Sequence, residues 1–446
     1  MNDRRSFSAI TLVWLVVLLI LPAPMMLTLS LGLPVIHLGN IPSMQMGVVA
    51  YTWMLAAVLL STRPRWLDRH VGLPHIYVIH GVIGLLAVVA ALAHDLFSSS
   101  TGLVKQTGTL ALILLISLAC WSIVFMSGWL TSRIPLLARI RALMERVAHH
   151  ELSVWLHRLN LLAVLLVFVH VQLIDYVSSI RWFMVVFDGM TILTLLLYVL
   201  GKARMRRQAL RGRLVAHRMI APRVHELTVR VEVPATMTWE AGDFAFIRFP
   251  GIRGMREYHP FSIVNAPSWD EKPTDGGDMA DRPSPRGGTR IALWTFAIRE
   301  DGDFTRGLRS VVVGSEVGLL PSFGRIQRFL EEHSGAPIVI VSGGIGVTPM
   351  IAVAERFARR MAAVVYTAKR GELLPYSERL QRLSQRYDRP VIVQEGRLSR
   401  RQMEDVVIPG AVYLIAGPDR MRRTWARFLK GRGVPSARMY DEPFSW

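Results

Sequence analysis

The chain has 446 residues, 51% of them apolar, a formal net charge of +19 and a single cysteine, Cys120. That length exceeds one compact domain, and one thiol excludes both an intrachain disulfide and a four-thiolate iron–sulfur cluster, so electrons carried here would need other cofactors. The basic excess flanks apolar runs and comes with no nucleic-acid motif, so nucleic acid is not an expected partner.

Six apolar segments are long enough to span a bilayer: Ala9–Leu31, Met44–Leu60, His75–Leu96, Thr107–Leu130, Val154–Ile174 and Trp182–Leu200. Arg4 and Arg5 precede the first as in a signal peptide, but its apolar run is too long and lacks a small-residue cleavage site, so a retained span is expected. If the spans alternate, Arg63, Arg65, Arg69, Arg133, Arg139, Arg141, Arg146 and the basic run from Lys202 to Arg213 share one side with Arg4 and Arg5. Only Lys105 and Arg181 fall on the other. The positive-inside rule then puts both termini in the cytoplasm and makes membrane lipid a partner.

The third and fifth segments carry two histidines each, His80 with His94 and His157 with His170. Ionisable groups inside a span are costly and default to a functional reading when a partner can be named. The two segments run the same way, so His80 faces His157 near the cytoplasm and His94 faces His170 near the outside. Opposed pairs at two depths are the ligand set for two stacked b-type haems. Fourteen residues, about 3.9 turns, bring His80 and His94 to nearly one face, whereas the thirteen between His157 and His170 leave them off a common face. The fifth helix is therefore expected to be locally overwound or underwound, or the haems to be rotated relative to one another. His70, His75, His149 and His150 lack depth-matched partners and read as interfacial residues. Arg158 reads equally as a haem-propionate partner or as a cation snorkelling to headgroups. Residues 133–152 read as an amphipathic stretch along the inner membrane surface.

After a basic linker, the runs Leu214–Ile220, Val224–Val233, Phe244–Phe249, His259–Val264, Ile291–Ile298 and Glu316–Leu320 suggest a small antiparallel barrel, interrupted by a long loop at Pro267–Gly288. From Ala336 the pattern becomes strand, turn and helix, the mark of a parallel sheet. Pro337–Ser342 leads into the turn Gly343-Gly344-Ile345-Gly346, followed by a helix whose N-terminus suits a pyrophosphate. Further strands are expected at Ala362–Thr367, Arg389–Gln394 and Ala411–Ala416. The expected architecture is a membrane all-α six-helix bundle (1–201), a linker (202–213), an antiparallel β-barrel (214–332) and an α/β parallel-sheet domain (333–446).

Tyr258-His259-Pro260-Phe261-Ser262-Ile263, followed some eighty residues later by Gly343-Gly344-Ile345-Gly346-Val347-Thr348-Pro349, resembles the paired flavin and pyridine-nucleotide signatures of the ferredoxin–NADP reductase superfamily. Joined to a six-span bis-haem domain, they resemble the ferric reductase / NADPH oxidase family, including its bacterial members. The resemblance implies a flavocytochrome of the bacterial inner membrane with FAD, NADPH (or NADH) and two haem b. It implies that FAD meets His259, Pro260, Phe261, Ser262, Ile263, Thr305, Phe323 and Gly324. Phe444, in the acidic-aromatic tail 441–446, would stack on the flavin, and Phe444 and Ser262 are the catalytic candidates. NADPH would meet Gly343, Gly344, Ile345, Gly346, Thr348, Pro349, Gly417 and Pro418. Lys369 and Arg370 stand where NAD-specific sites place a carboxylate and Arg397 resembles a family position near the 2′-phosphate, which favours NADPH, the alternative being a solvated basic edge. The chain departs from the family at Ala241 and Asp243, at Pro321-Ser322-Phe323-Gly324, and at Ala416, which replaces a cysteine.

The expected activity is electron transfer from cytoplasmic NADPH through FAD and the haems to an outer acceptor, either oxygen, giving superoxide, or a ferric or cupric chelate. The rival from another class is a six-span transporter or channel with a nucleotide-sensing domain.

Overall fold

A computed structural model describes residues 9–125, 136, 139–140, 150–267 and 288–442. The chain divides into two units at Arg206/Arg207. Within the first, six helices are long and apolar enough to cross a membrane: α1 (Ala9–Gly32), α2 (Val35–Leu60), α3 (Leu73–Leu96), α4 (Gly102–Phe125), α5 (Leu152–Gln172) and α6 (Arg181–Arg207). Most of the amphipathic stretch 133–152, the end of the fourth expected span and the loop at 268–287 lie outside the described residues.

Helix ends follow local chemistry. Gly72 takes a left-handed φ of 86°, which ends the preceding turn Arg65–Val71, and Pro74 then sits in the first turn of α3, where its missing N–H costs nothing. The buried Asp68 carboxylate caps α3 by accepting the Leu73 amide at 2.7 Å. The core of this unit gathers Met25, Leu29, Tyr51, Leu55, Phe183 and Phe187, with Tyr51 and Phe187 stacked at 4.9 Å. The outward faces stay apolar: Leu19, Leu31, Ile113 and Leu193 are all exposed.

The second unit has two sheets. Six antiparallel strands, β1 (Leu210–Ala221), β2 (Val224–Pro234), β3 (Phe244–Arg248), β4 (His259–Ser262), β5 (Thr289–Arg299) and β6 (Glu316–Phe323), pair in the order β4-β3-β6-β1-β2-β5, and an isolated bridge joins Ile263 to Phe296. Their inward residues, among them Leu214, Val229, Val231, Ile247, Trp294 and Val317, form one buried core. Between β5 and β6 lies a short helix, α7 (Asp303–Gly307).

Five parallel strands follow: β7 (Ile338–Gly343), β8 (Met361–Ala368), β9 (Val391–Glu395), β10 (Val412–Ala416) and β11 (Met439–Glu442), in the order β11-β10-β7-β8-β9. β7 and β10 are largely apolar and buried along their length, as expected of strands covered on both faces. β11 is a correction to the sequence reading. No strand was expected at Met439–Glu442, which is an edge strand paired in parallel with Tyr413–Ala416 and takes in Asp441 and Glu442 of the expected tail.

Candidate electron-transfer site

The four histidines form two facing pairs. Ring centroids of His80 and His157 are 5.8 Å apart, and those of His94 and His170 are 6.4 Å apart. An imidazole nitrogen binds a first-row metal at about 2.0–2.1 Å, so two axial imidazoles on one iron bring ring centroids to about 6 Å, a spacing both pairs match. Among the described residues no group of three or more His, Cys, Asp or Glu could hold a metal ion. A pair of imidazoles therefore suits a metal that arrives with its own equatorial ligands, as haem iron does.

Each ring is oriented from behind. His80 Nδ1 lies 3.0 Å from the Ala57 carbonyl, and His94 Nδ1 lies 2.8 Å from that of Ser43, both on α2. His170 Nδ1 lies 2.9 Å from the Val104 carbonyl, and His157 Nδ1 lies 3.0 Å from the Ser122 hydroxyl, both on α4. A carbonyl only accepts, so in those three rings the proton sits on Nδ1 and Nε2 keeps the lone pair that binds a metal. Two glycines make room for these rings. A Cβ on Gly47 would stand 3.1 Å from His94 Nδ1, and one on Gly108 would stand 3.0 Å from His170 Cε1. Beside Gly84, one turn on from His80, no atom of the described residues outside the local helix backbone lies within 4 Å of where a Cβ would be. The buried indole N–H groups of Trp53 and Trp121 have no partner among the described residues, so donors are left for a group that brings acceptors. These features fit haem.

The thirteen-residue spacing of His157 and His170 is resolved by a break. The fifth helix divides into His150–Arg158 and Asn160–Gln172, and around Leu159 the bonds tighten to i→i+3, from Leu159 N to Leu156 O and from Leu162 N to Leu159 O. This local overwinding lets both imidazoles meet their partners. His70 is tied locally, its Nδ1 2.6 Å from the Trp66 carbonyl.

In the second unit β4 lies against β3, with Ser262 opposite Phe244 and His259 opposite Ile247. Phe304 of α7 packs on the flavin motif, 4.1 Å from His259 and 5.8 Å from Phe261 between centroids. The Thr305 hydroxyl accepts the amides of Asp301 (2.8 Å) and Gly302 (2.9 Å), so it shapes this turn. Asp243 is buried, and its carboxylate accepts the Glu240 amide at 3.1 Å. A Cβ on Gly324 would come within 2.4 Å of Asp243 Oδ1, so this glycine makes room for the buried aspartate. Phe323 stacks on Phe244 at 5.8 Å. Phe444 lies outside the described residues.

Strand order reverses between β7 and β10, and ligands of open parallel sheets bind at such a switch point. There the turn Gly343–Gly346 meets Gly417. A Cβ on Gly346 would clash with the Ala416 carbonyl oxygen at 2.6 Å, and Gly417 needs φ 148°. Thr348 and Pro349 are buried in the first turn of the helix Val347–Arg356, the Thr348 hydroxyl donating to the Ile345 carbonyl at 3.0 Å. Ile345 is half-buried and Pro418 exposed. Lys369, Arg370 and Arg397 are exposed on adjoining turns at the ends of β8 and β9, joined by the Gly396 amide to the Ala368 carbonyl (2.7 Å) and the Gly371 amide to the Glu395 carboxylate (2.9 Å).

Sequence reasoning missed a second polar cluster. His217 Nε2 lies 2.8 Å from His225 Nδ1, and His225 Nε2 lies 2.8 Å from Glu300 Oε1. Arg309 grips the same carboxylate with two bonds of 2.7 Å. Arg309 first and then His225 hold the Glu300 carboxyl down at about 2.

No protein-family model matches the chain. A flavohemoprotein of Rhizobium meliloti (strain 1021) is 28% identical over 153 residues, covering 30% of this chain and 38% of the relative. The chain thus matches under two-fifths of that relative's length. Among solved structures, the flavohem-like FAD/NAD-binding domain of a nitric oxide dioxygenase from Vibrio cholerae O1 biovar El Tor covers 53% of this chain and 98% of its own, with TM-score 0.42 and 16% identity. A flavohemoglobin from Malassezia yamatoensis covers 95% of this chain and 100% of its own, with TM-score 0.48 and 16% identity.

An antiparallel barrel carrying the flavin motif, followed by a parallel sheet with a glycine turn at its switch point, defines the class of the second unit. Its two-sheet arrangement is the one expected of an FAD/NAD-binding reductase module, and part of the chain is similar to a flavohemoprotein. The second unit follows a helical one whose histidines fit haem.

Proposed function

We propose that the chain is a transmembrane oxidoreductase that takes electrons from cytoplasmic NADPH through FAD and two b-type haems to an acceptor on the outer face. The observation that carries this reading is the pair of opposed imidazole sets, His80 with His157 and His94 with His170, each ring held by its Nδ1. Similarity to a flavohemoprotein supports flavin and haem chemistry in one chain. Six helices of membrane length with apolar outward faces support the spanning arrangement, and the one-sided arginines support cytoplasmic termini.

Haem, when bound, supplies one-electron transfer, and the histidines set its ligation and insulation. His80 with His157 and His94 with His170 would each commit two imidazoles to one haem, so the acceptor would be reduced without binding the metal. This favours oxygen reduced to superoxide, or a ferric or cupric chelate. It disfavours a nitric oxide dioxygenase activity, which needs an axial position open to oxygen. Acceptor assays on the purified, haem-loaded chain test this. NADPH-driven superoxide formation that stops without oxygen supports the oxidase, and anaerobic reduction of ferric citrate supports the chelate reductase. A chain that binds no haem and oxidises no NADPH overturns the reading in favour of a nucleotide-regulated transporter.

A further inference from the structure

The cluster around Glu300 permits a count of its hydrogens. The chain of contacts runs from the Val311 carbonyl to His217 Nδ1 (2.9 Å), from His217 Nε2 to His225 Nδ1 (2.8 Å), and from His225 Nε2 to Glu300 Oε1 (2.8 Å). Both ends accept only: one is a carbonyl, the other a carboxylate clamped by Arg309. His217 Nδ1 and His225 Nε2 must therefore each carry hydrogen, and the contact between the rings needs a third. Two neutral imidazoles bring only two, so the complete chain holds one extra proton shared by the rings. His225 and Glu300 are 1% exposed, and a mismatched lone pair there is costly.

The cluster also has a position. Glu300 is locked to the β1–β2 turn, its amide donating to the Arg223 carbonyl (2.8 Å) and its carbonyl accepting Arg223 Nη2 (2.7 Å). It heads the segment leading to Phe304, which packs on His259 and Phe261 of the flavin motif. One residue earlier, Arg299 Nη1 lies 4.0 Å from the Cβ position of Gly344 in the nucleotide turn. The other charged and titratable groups around the chain are Arg309 and Arg223 on Glu300, and next to His225 the set Glu226, Arg218 and Tyr376, in which Glu226 accepts from both Arg218 and the Tyr376 hydroxyl.

We propose that His217, His225 and Glu300 form a proton-holding anchor that positions Arg299–Thr305 between the flavin and nucleotide motifs, so that order in this cleft depends on one proton shared by two imidazoles. The cleft's ligands rest on the reductase reading above; the hydrogen count does not. Without the shared proton, two ring lone pairs would face each other across the 2.8 Å contact between His217 and His225.

Glu300→Gln separates this role from mere packing. A glutamine amide can donate to His225 Nε2, which completes the chain with two neutral imidazoles and no extra proton. The test is the thermal midpoint of the full-length, detergent-solubilised chain from pH 6 to 9, with FAD fluorescence titrations at the same pH values. The wild-type midpoint should fall relative to E300Q by about 3 °C or more across this range, with FAD affinity falling in parallel. The double variant H217Q/H225Q, which leaves no imidazole to titrate here, should lack this fall as well. H217Q alone should keep it, because His225 still needs both hydrogens. Profiles for wild type, E300Q and the double variant that run parallel would overturn the proposal. A chain that takes up no FAD at any pH counts against the reductase reading, while the midpoint comparison still decides the anchor.

Discussion

His94 Nδ1 donates to the Ser43 carbonyl at 2.8 Å, and fourteen residues away on each of the two helices His80 Nδ1 donates to Ala57 at 3.0 Å. The equal spacing in antiparallel neighbours means that α2 fixes both rings of α3 with one register. On the opposite wall α4 orients His157 through the Ser122 hydroxyl and His170 through the Val104 carbonyl, without that equal spacing.

Independent anchoring predicts independent loss. His94→Leu should remove one haem and acceptor reduction while NADPH-dependent flavin reduction stays within about twofold, as expected for sites that share no partner residues. Haem content by pyridine haemochromogen and stopped-flow flavin bleaching check it. Loss of flavin reduction as well would contradict a modular path.

Gly108 allows His170 its position, since a Cβ there would stand 3.0 Å from the ring. Gly108→Val should displace the ring from the Val104 carbonyl and lower retention of the His94/His170 haem by about tenfold or more, within the usual cost of disturbing an orienting partner. The His80/His157 haem should be unchanged. Haem occupancy after gel filtration reads this out.

At the switch point, Gly346→Ala forces a methyl into the Ala416 carbonyl, 2.6 Å away in the present geometry. Overpacking of this kind costs about 1–3 kcal/mol. It should raise KM for the pyridine nucleotide about tenfold or more without altering haem content.

Arg397→Glu should raise KM for NADPH by about 10- to 100-fold, the worth of one charge-assisted bond to a phosphate. KM for NADH should be unchanged. Equal effects on both nucleotides would show that Arg397 is a solvated cation with no part in phosphate recognition.

Acid should unlock Glu300. Its folded-state pKa lies at about 2 against an ordinary 4.5, so it contributes stability above that ordinary value and loses it as pH falls towards 2. Thermal midpoints between pH 5 and 3 should fall more steeply in wild type than in E300Q, which lacks the ionisation.

Much of this was legible in the sequence because it is written in side chains of distinctive cost. Histidines within apolar runs and the glycine turn after β7 stand out against their surroundings. The anchors of the histidines do not. The carbonyls of Ser43, Ala57 and Val104 belong to the backbone and leave no mark in composition, and only Gly47 and Gly108 hint at close approach. The break at Leu159 is also silent, since no Pro or Gly marks it, although the thirteen-residue spacing required some irregularity there. β11 was hidden because Met-Tyr-Asp-Glu has no apolar run; its pairing with β10 is what makes it a strand. The Glu300 cluster escaped notice because His217 and His225 lie on two strands, Glu300 just past a third and Arg309 in a turn, and only the fold brings them together.

The central claim is that two opposed histidine pairs each hold one haem. The most direct measurement is haem stoichiometry with low-temperature absorption spectroscopy of the purified full-length chain, compared with the His80→Leu and His94→Leu variants. Two low-spin b-type haems per chain, falling to one in each variant, is the predicted result. A single haem, a five-coordinate high-spin spectrum, or unchanged haem content in either variant would contradict it.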